Sequence, residues 1–200
     1  MPVGKGRSYH HGDLRRALID ATIRLVDKYG QDRFTLRAAA KLAGVSDGAP
    51  YHHFADKEAL LAAVATQGFR MLRRDLEVAW EAQPGGPKAK GNAVAAAYVL
   101  FAAKRPSHFR IMFRRPLRDD ECLELAESAE DTLAFLRQGL QEGLRHNGPK
   151  RTERLVHAIW ALLHGLSCLA VDGHLGQESR DPKKLTRLVW DALRSLDQED

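Results

Sequence analysis

A chain of 200 residues, 44% of them hydrophobic, is long enough to bury one sizeable core or two smaller ones. Its formal net charge of +5 is too modest to settle a nucleic-acid partner, but the charge is uneven: residues 1–57 hold ten Lys and Arg against six Asp and Glu, and the remainder holds 21 against 20. Two cysteines, Cys122 and Cys168, argue against a disulfide framework, and MPVGKGRSYHHGD has no apolar core of the signal-peptide kind, so a cytoplasmic protein is expected.

Strand signals are nearly absent, and runs of Ala, Leu, Arg and Glu at helical spacing, broken by Gly and Pro, point to an all-α chain. Lys5 and Arg7 lie on a Gly-containing arm that reads equally as a phosphate contact or a solvated tail. A first helix begins at Asp13, with Leu14, Leu18, Ala21, Leu25, Val26 and Tyr29 on one face and Gly30 at its end. The stretch TLRAAAKLAGVSDGAPYHHFADK, Thr35 to Lys57, then supplies two short helices separated by the Gly44 turn, with Asp56 placed to cap the next helix. These are the parts of a major-groove reader.

Beyond Asp56, Leu61, Val64, Gly68, Leu72, Leu76 and Ala79 carry a long helix to Trp80, and Pro84, Gly85, Gly86 and Pro87 break it. A second helical region presents Ala93, Ala97, Leu100 and Phe101, followed by the aromatic piece SHFRIMF, closed by Pro116. Leu125, Ala129, Leu133, Leu136, Leu140 and Leu144 describe another long amphipathic helix, stopped near Gly148 and Pro149. Leu155 to Val171 contains no charged residue and is apolar nearly all round; at 17 residues it reads as a buried helix covered on more than one side rather than a membrane span. The last helix opens with Asp181 as cap and Pro182 at its first position. Two adjacent apolar helices suggest self-association, with packing inside one subunit as the alternative.

The combination AAAKLAGVSDGAPYHHFADKEALL, preceded by YHHGDLRRALIDATIRLV, strongly resembles the DNA-binding domain of the TetR family of bacterial transcriptional regulators. WALLHG (Trp160, His164, Gly165) and AYVLFAAKRPSHFRIMF are similar to one subgroup of its regulatory domains, which carries a Trp-x-x-x-His-Gly motif. The resemblance implies an all-α, TetR-like fold, with a three-helix helix-turn-helix unit in residues 1–57 joined by a long helix to a ligand-binding and dimerisation domain in 58–200. It further implies a homodimer through the last two helices, a palindromic operator in double-stranded DNA, repression released by a small apolar or amphipathic effector, and no cofactor.

Within that frame Arg37 reads as a guanine-reading fork or as a surface arginine along its helix. The family pattern puts Tyr51 and His53 near the sugar-phosphate backbone, with part of the Tyr51 ring alternatively core, and leaves His52 the better candidate for a base. Lys57 suits a phosphate at a helix start, or a solvated position. Pro50 departs from the family: it has no amide proton, so the reading helix is expected to start at Asp47 or Gly48. Asp47 then serves as cap or accepts from a cytosine, while Gly48 and Ala49 allow close approach to the bases.

An effector pocket would draw on Phe101, Phe109, Met112, Phe113, Trp160, Leu163, His164 and Cys168, residues that otherwise are plain core. His157 and His164 share a helical face, but a histidine bonded to a neighbouring helix is preferred to a metal site, so no metal is expected. The absence of a phosphate loop, a His-Glu-x-x-His motif or a nucleophile with an obvious base speaks against an enzyme carrying a DNA-binding head. An architectural DNA binder without ligand is the third reading, and a fully packed C-terminal half would favour it. The helix from Asp56 to Trp80 is the expected lever between effector and DNA.

Overall fold

The computed structural model describes residues 11–30, 33–114, 122–176 and 181–197, so Lys5, Arg7 and Pro116 lie outside the described residues. The described residues form eight α-helices and short 3-10 turns, with no strand among them. The chain divides into two compact units, Met1–Val64 and Ala65–Asp200.

In the first unit, α1 (His11–Tyr29) buries Leu18, Ile19, Ala21 and Val26. Thr22 joins that face because its hydroxyl donates to the Leu18 carbonyl at 2.8 Å, so no polar group is left unsatisfied. The helix stops where Gly30 turns left-handed (φ 81) and its amide reaches the Val26 carbonyl. Tyr29, expected on the buried face, is instead 49% exposed: it is the last residue of the helix, and the Lys28 ammonium lies 5.0 Å from its ring centroid. Helix α2 (Leu36–Ala43) begins at Thr35, whose extended backbone lets its hydroxyl oxygen accept the Ala38 amide at 3.1 Å. It ends at Gly44 (φ 73), with the Gly44 and Val45 amides returned to the Lys41 and Ala40 carbonyls. Leu36, Ala39, Ala40, Phe34 and Phe54 are buried in this unit.

Helix α3 (Lys57–Ala82) starts as its sequence requires, with Asp56 Oδ1 accepting the Ala59 amide at 2.8 Å. Its 26 residues amount to a rod of about 39 Å, and the boundary between the two units falls inside it.

The second unit is built around α4 (Pro87–Lys104), which packs against α5 (Pro106–Met112), α6 (Leu123–Leu144), α7 (Pro149–Val171) and α8 (Pro182–Asp197). Gly91, Val94, Ala95, Ala96, Tyr98, Val99, Phe101 and Ala102 are all buried, so the buried surface wraps α4 instead of following the Ala93–Ala97–Leu100 face. The helix covered on several sides is therefore α4 and not α7, contrary to the sequence expectation. Small side chains let neighbours close around α4: an added Cβ on Gly91 would lie 3.0 Å from the Gly139 carbonyl oxygen and 3.1 Å from Gly143 Cα. Helix α7 buries only Thr152, Val156, Ile159, Leu163, Ser167 and Ala170, one stripe, and leaves Leu169 42% exposed. Its length and composition would suffice to cross a membrane, but that stripe packs on α4, α6 and neighbouring elements.

Polar contacts fasten the second half of α3 within this unit. Arg105 donates to Asp75 at 2.7 Å, Arg70 pairs with Glu124 at 3.0 Å, and Arg73 pairs with Glu77 and Asp131 while its guanidinium stacks 3.9 Å from the Phe135 ring. Helix α8 opens as expected, Asp181 Oδ1 accepting the Lys183 amide at 2.9 Å and Pro182 occupying the first position.

Candidate nucleic-acid interface and effector site

The second helix of the helix-turn-helix is a single 3-10 turn, Ala49–His52, with Gly48 in the cap position. The turn is closed by amide donations from Ala49 to Ser46 (3.0 Å), from Tyr51 to Gly48 (3.2 Å), and from His53 and Phe54 to the Pro50 carbonyl (both 2.9 Å). Pro50 sits second in the turn, where an amide has no intrahelical acceptor to reach, so its missing proton costs nothing there. Its ring is buried and acts as the apolar foot of the turn. Gly48 is thus the start, as the proline argument requires, but Asp47 does not cap: no side-chain bond closes the start, because the Ser46 carbonyl already holds the Ala49 amide.

This construction turns side chains outward. Arg37, Asp47, Gly48, Tyr51 and His52 are exposed, while Ala49, His53 and Lys57 are half-buried. Tyr51 is 56% exposed, so its ring is not core. Lys57 lies with its ammonium 4.9 Å from the Phe34 ring centroid, packing its stem while the charge stays at the start of α3. The exposed Arg15 of α1, passed over in the sequence, holds its guanidinium 5.5 Å from the Phe54 ring centroid and adds a cation to the same unit.

In the second unit, four of the eight expected pocket residues meet in one aromatic cluster. Phe113 is 4.7 Å from His164 and 4.9 Å from Phe109, Phe109 is 5.4 Å from His164, and Trp160 is 6.4 Å from His164, all between ring centroids. Tyr98 of α4 completes it: its hydroxyl lies 3.1 Å from His164 Nδ1, and its ring packs edge-on to Phe109 at 6.0 Å. Burial raises the Tyr98 phenol well above its ordinary range, and burial lowers His164. Both shifts favour neutral groups, so the Tyr98 hydroxyl donates to an unprotonated Nδ1. The sequence signal for Tyr98 was available, since it bears the one side-chain hydroxyl between Gly91 and Ala103, and a buried tyrosine needs a partner.

The remaining pool divides differently. Phe101 and Leu163 are fully buried, Phe101 lying beneath the Arg105 guanidinium. Met112 packs onto α3, where a Cβ on Gly68 would fall 2.6 Å from its sulfur. Cys168 is half-buried, its thiol pushed up by burial and then by Asp172. His157 points its Nδ1–H at the Glu153 carbonyl, 2.9 Å away, on the exposed side of α7. A cavity of about 100 Å³ between α6 and α7 has an apolar lining of Leu133, Leu136, Leu140, Val156 and Trp160, so Trp160 alone of the expected pool borders it.

A glycine-capped helix followed by an outward-facing reading turn, together with a separate all-helical unit holding a neutral aromatic cluster, defines a helix-turn-helix protein with a regulatory body. The chain belongs to the TetR family of bacterial regulators: residues 18–64 match "Bacterial regulatory proteins, tetR family" and residues 92–193 match "Tetracyclin repressor-like, C-terminal domain". A similar curated protein is the HTH-type transcriptional regulator BetI of Burkholderia thailandensis, 40% identical over 90 residues. That match covers 42% of this chain and 44% of BetI, so the chain spans less than half the length of the curated relatives it matches. Among solved structures, a Rhodococcus sp. RHA1 protein of unknown function is 30% identical with a TM-score of 0.76, over 96% of this chain and 100% of that one. The regulator FadR of Bacillus subtilis, solved with stearoyl-CoA, shares the fold at a TM-score of 0.69 and 18% identity, over 92% and 97% of the two chains.

Proposed function

We propose that this chain is a cytoplasmic, ligand-responsive transcriptional regulator: a repressor that binds a palindromic operator as a homodimer and leaves it when a small effector occupies the second unit. The observation that carries the reading is the construction of the reading turn, in which Pro50 is buried and Tyr51 and His52 are exposed beside Asp47 and Gly48. Residues 1–57 form the DNA-reading part, with Arg37 and His52 reading bases, Tyr51, His53 and Lys57 holding phosphates, and Asp47, Gly48 and Ala49 at closest approach. Residues 58–200 receive the effector and form the dimer.

Dimerisation through α7 and α8 is supported by the uncovered outer face of α7. Ala158, Ala161, Gly165 and Leu169 are exposed there at helical spacing, and a Cβ on Gly165 would meet nothing within 4 Å. The Trp-x-x-x-His-Gly subgroup fits the same helix: Trp160 and His164 belong to the aromatic cluster, whereas Gly165 belongs to the outer face. An effector that prefers one spacing of the two reading turns lowers operator affinity by its difference in binding free energy between the two states.

The test is selection of genomic fragments by the purified protein, followed by footprinting of the enriched sites. The expected result is a palindrome whose half-sites lie roughly one helical turn apart, protected by a dimer. Enrichment no better than for scrambled DNA at fixed salt refutes the reading.

A further inference from the structure

The cleft between α6 and α7 has a chemistry that the neutral aromatic cluster lacks. Its inner part is the cavity of about 100 Å³ with an apolar floor; a neighbouring cleft of about 400 Å³ is lined by the polar Gln141, Thr152 and Glu153. Arg137, Val156 and His157 line both, so a guanidinium and an imidazole stand where the apolar and polar parts meet. Arg137 is exposed, and among the described residues no carboxylate pairs with it. His157 spends its Nδ1–H on the Glu153 carbonyl, which leaves Nε2 for another partner. Glu153 is a carboxylate of the outer cleft and is absent from the lining of the inner one.

We infer that this cleft binds an amphipathic carboxylate with a short alkyl tail, and that this is the effector class of the regulator. The inference rests on the proposed reading of the chain as effector-controlled. The guanidinium fork of Arg137 receives the carboxylate in a paired geometry that a lone ammonium cannot offer, and His157 Nε2 meets the same head group. The tail lies over Leu133, Leu136, Leu140 and Val156. An apolar cavity of about 150 Å³ holds a benzene ring, so the smaller, one-side-open space here suits a body of about six carbons. Trp160 gives the occupied cleft a route inward: it borders the cavity, and its ring contacts His164, which in turn is bonded to Tyr98 of α4.

Calorimetric titration of the full chain with hexanoate, hexan-1-ol and hexyltrimethylammonium tests the inference. Hexanoate is expected to bind saturably and about tenfold or more tightly than either isostere, because the head group carries the recognition. Arg137→Gln should remove that preference while leaving hexan-1-ol unchanged, and Arg137→Glu should transfer it to hexyltrimethylammonium. Arg137 is exposed, so both variants are expected to keep the helical circular dichroism of the parent. Equal binding of the three probes, no saturable binding of hexanoate, or hexanoate binding unchanged by Arg137→Gln overturns the carboxylate site. Operator titration with and without hexanoate separates the two claims: binding through Arg137 without operator release upholds the carboxylate site and removes the effector assignment.

Discussion

Replacing Gly91 by alanine should destabilise the second unit even though alanine is the better helix former. In α4 the exchange gains about 1 kcal/mol of helix propensity. The new Cβ, however, lies 3.0 Å from the Gly139 carbonyl oxygen and 3.1 Å from Gly143 Cα, and both are backbone atoms of α6 that no rotamer change can move. Relief requires α4 and α6 to separate, at the usual overpacking cost of about 1–3 kcal/mol, before any loss of contact along the rest of the crossing. The net expectation is a loss of about 1–2 kcal/mol, a fall in Tm of roughly 2–8 °C for a chain of this size. Gly165→Ala supplies the control, since a Cβ there meets nothing within 4 Å and only the propensity gain remains. Urea titration followed by circular dichroism measures both at fixed protein concentration. A Gly91→Ala variant as stable as the parent would refute the backbone-contact argument.

Three other predictions follow from the reading turn, the α3 cap and the cluster. Arg37→Ala should weaken specific operator binding by about 1–3 kcal/mol and relax preference at one base pair, whereas Lys57→Ala should weaken all sequences alike; titrations on specific and scrambled operators check the division, and the reverse assignment refutes it. Asp56→Ala removes the carboxylate that accepts the Ala59 amide and should cost about 0.5–2 kcal/mol, with hydrogen exchange rising first in the opening turn of α3. Burial lowers His164, so in the pH range below its ordinary value of 6.5 the unfolded chain binds the proton more readily than the folded one. Stability from this group is fully present above 6.5 and lost as pH falls toward its lowered folded value; urea titrations from pH 7.5 to 5 should show a decline that His164→Asn flattens.

Local rules carried the reading of the sequence furthest where one residue decides one feature. Asp56, Asp181, Gly30 and Gly44 end or begin helices for reasons confined to a single turn, and each does so in the structure. The proline argument was of the same kind and located the start of the reading turn at Gly48. It overreached at Asp47, because a neighbouring backbone carbonyl, invisible to residue type, had already taken the amide.

Questions of which helix lies inside were harder. Leu155 to Val171 is the longer uncharged run, yet the centre belongs to α4, where glycine and alanine let helices approach closely. Apolar composition reports what a helix tolerates around it, and side-chain size reports how near a neighbour comes. Only the second distinguishes a central helix from one with an open face. The cluster was half legible for a related reason: Phe109, Phe113, Trp160 and His164 stand out by type, whereas Tyr98 is defined by a bond to a residue 66 positions away.

The buried proline of the reading turn separates two duties that most recognition elements combine. The turn keeps its place through one apolar ring and a few backbone bonds, none of which uses the outward side chains at Tyr51 or His52. Those two positions can therefore vary with little charge against folding, so a library randomised there and held constant at Pro50 is a route to altered operator preference on an unchanged scaffold.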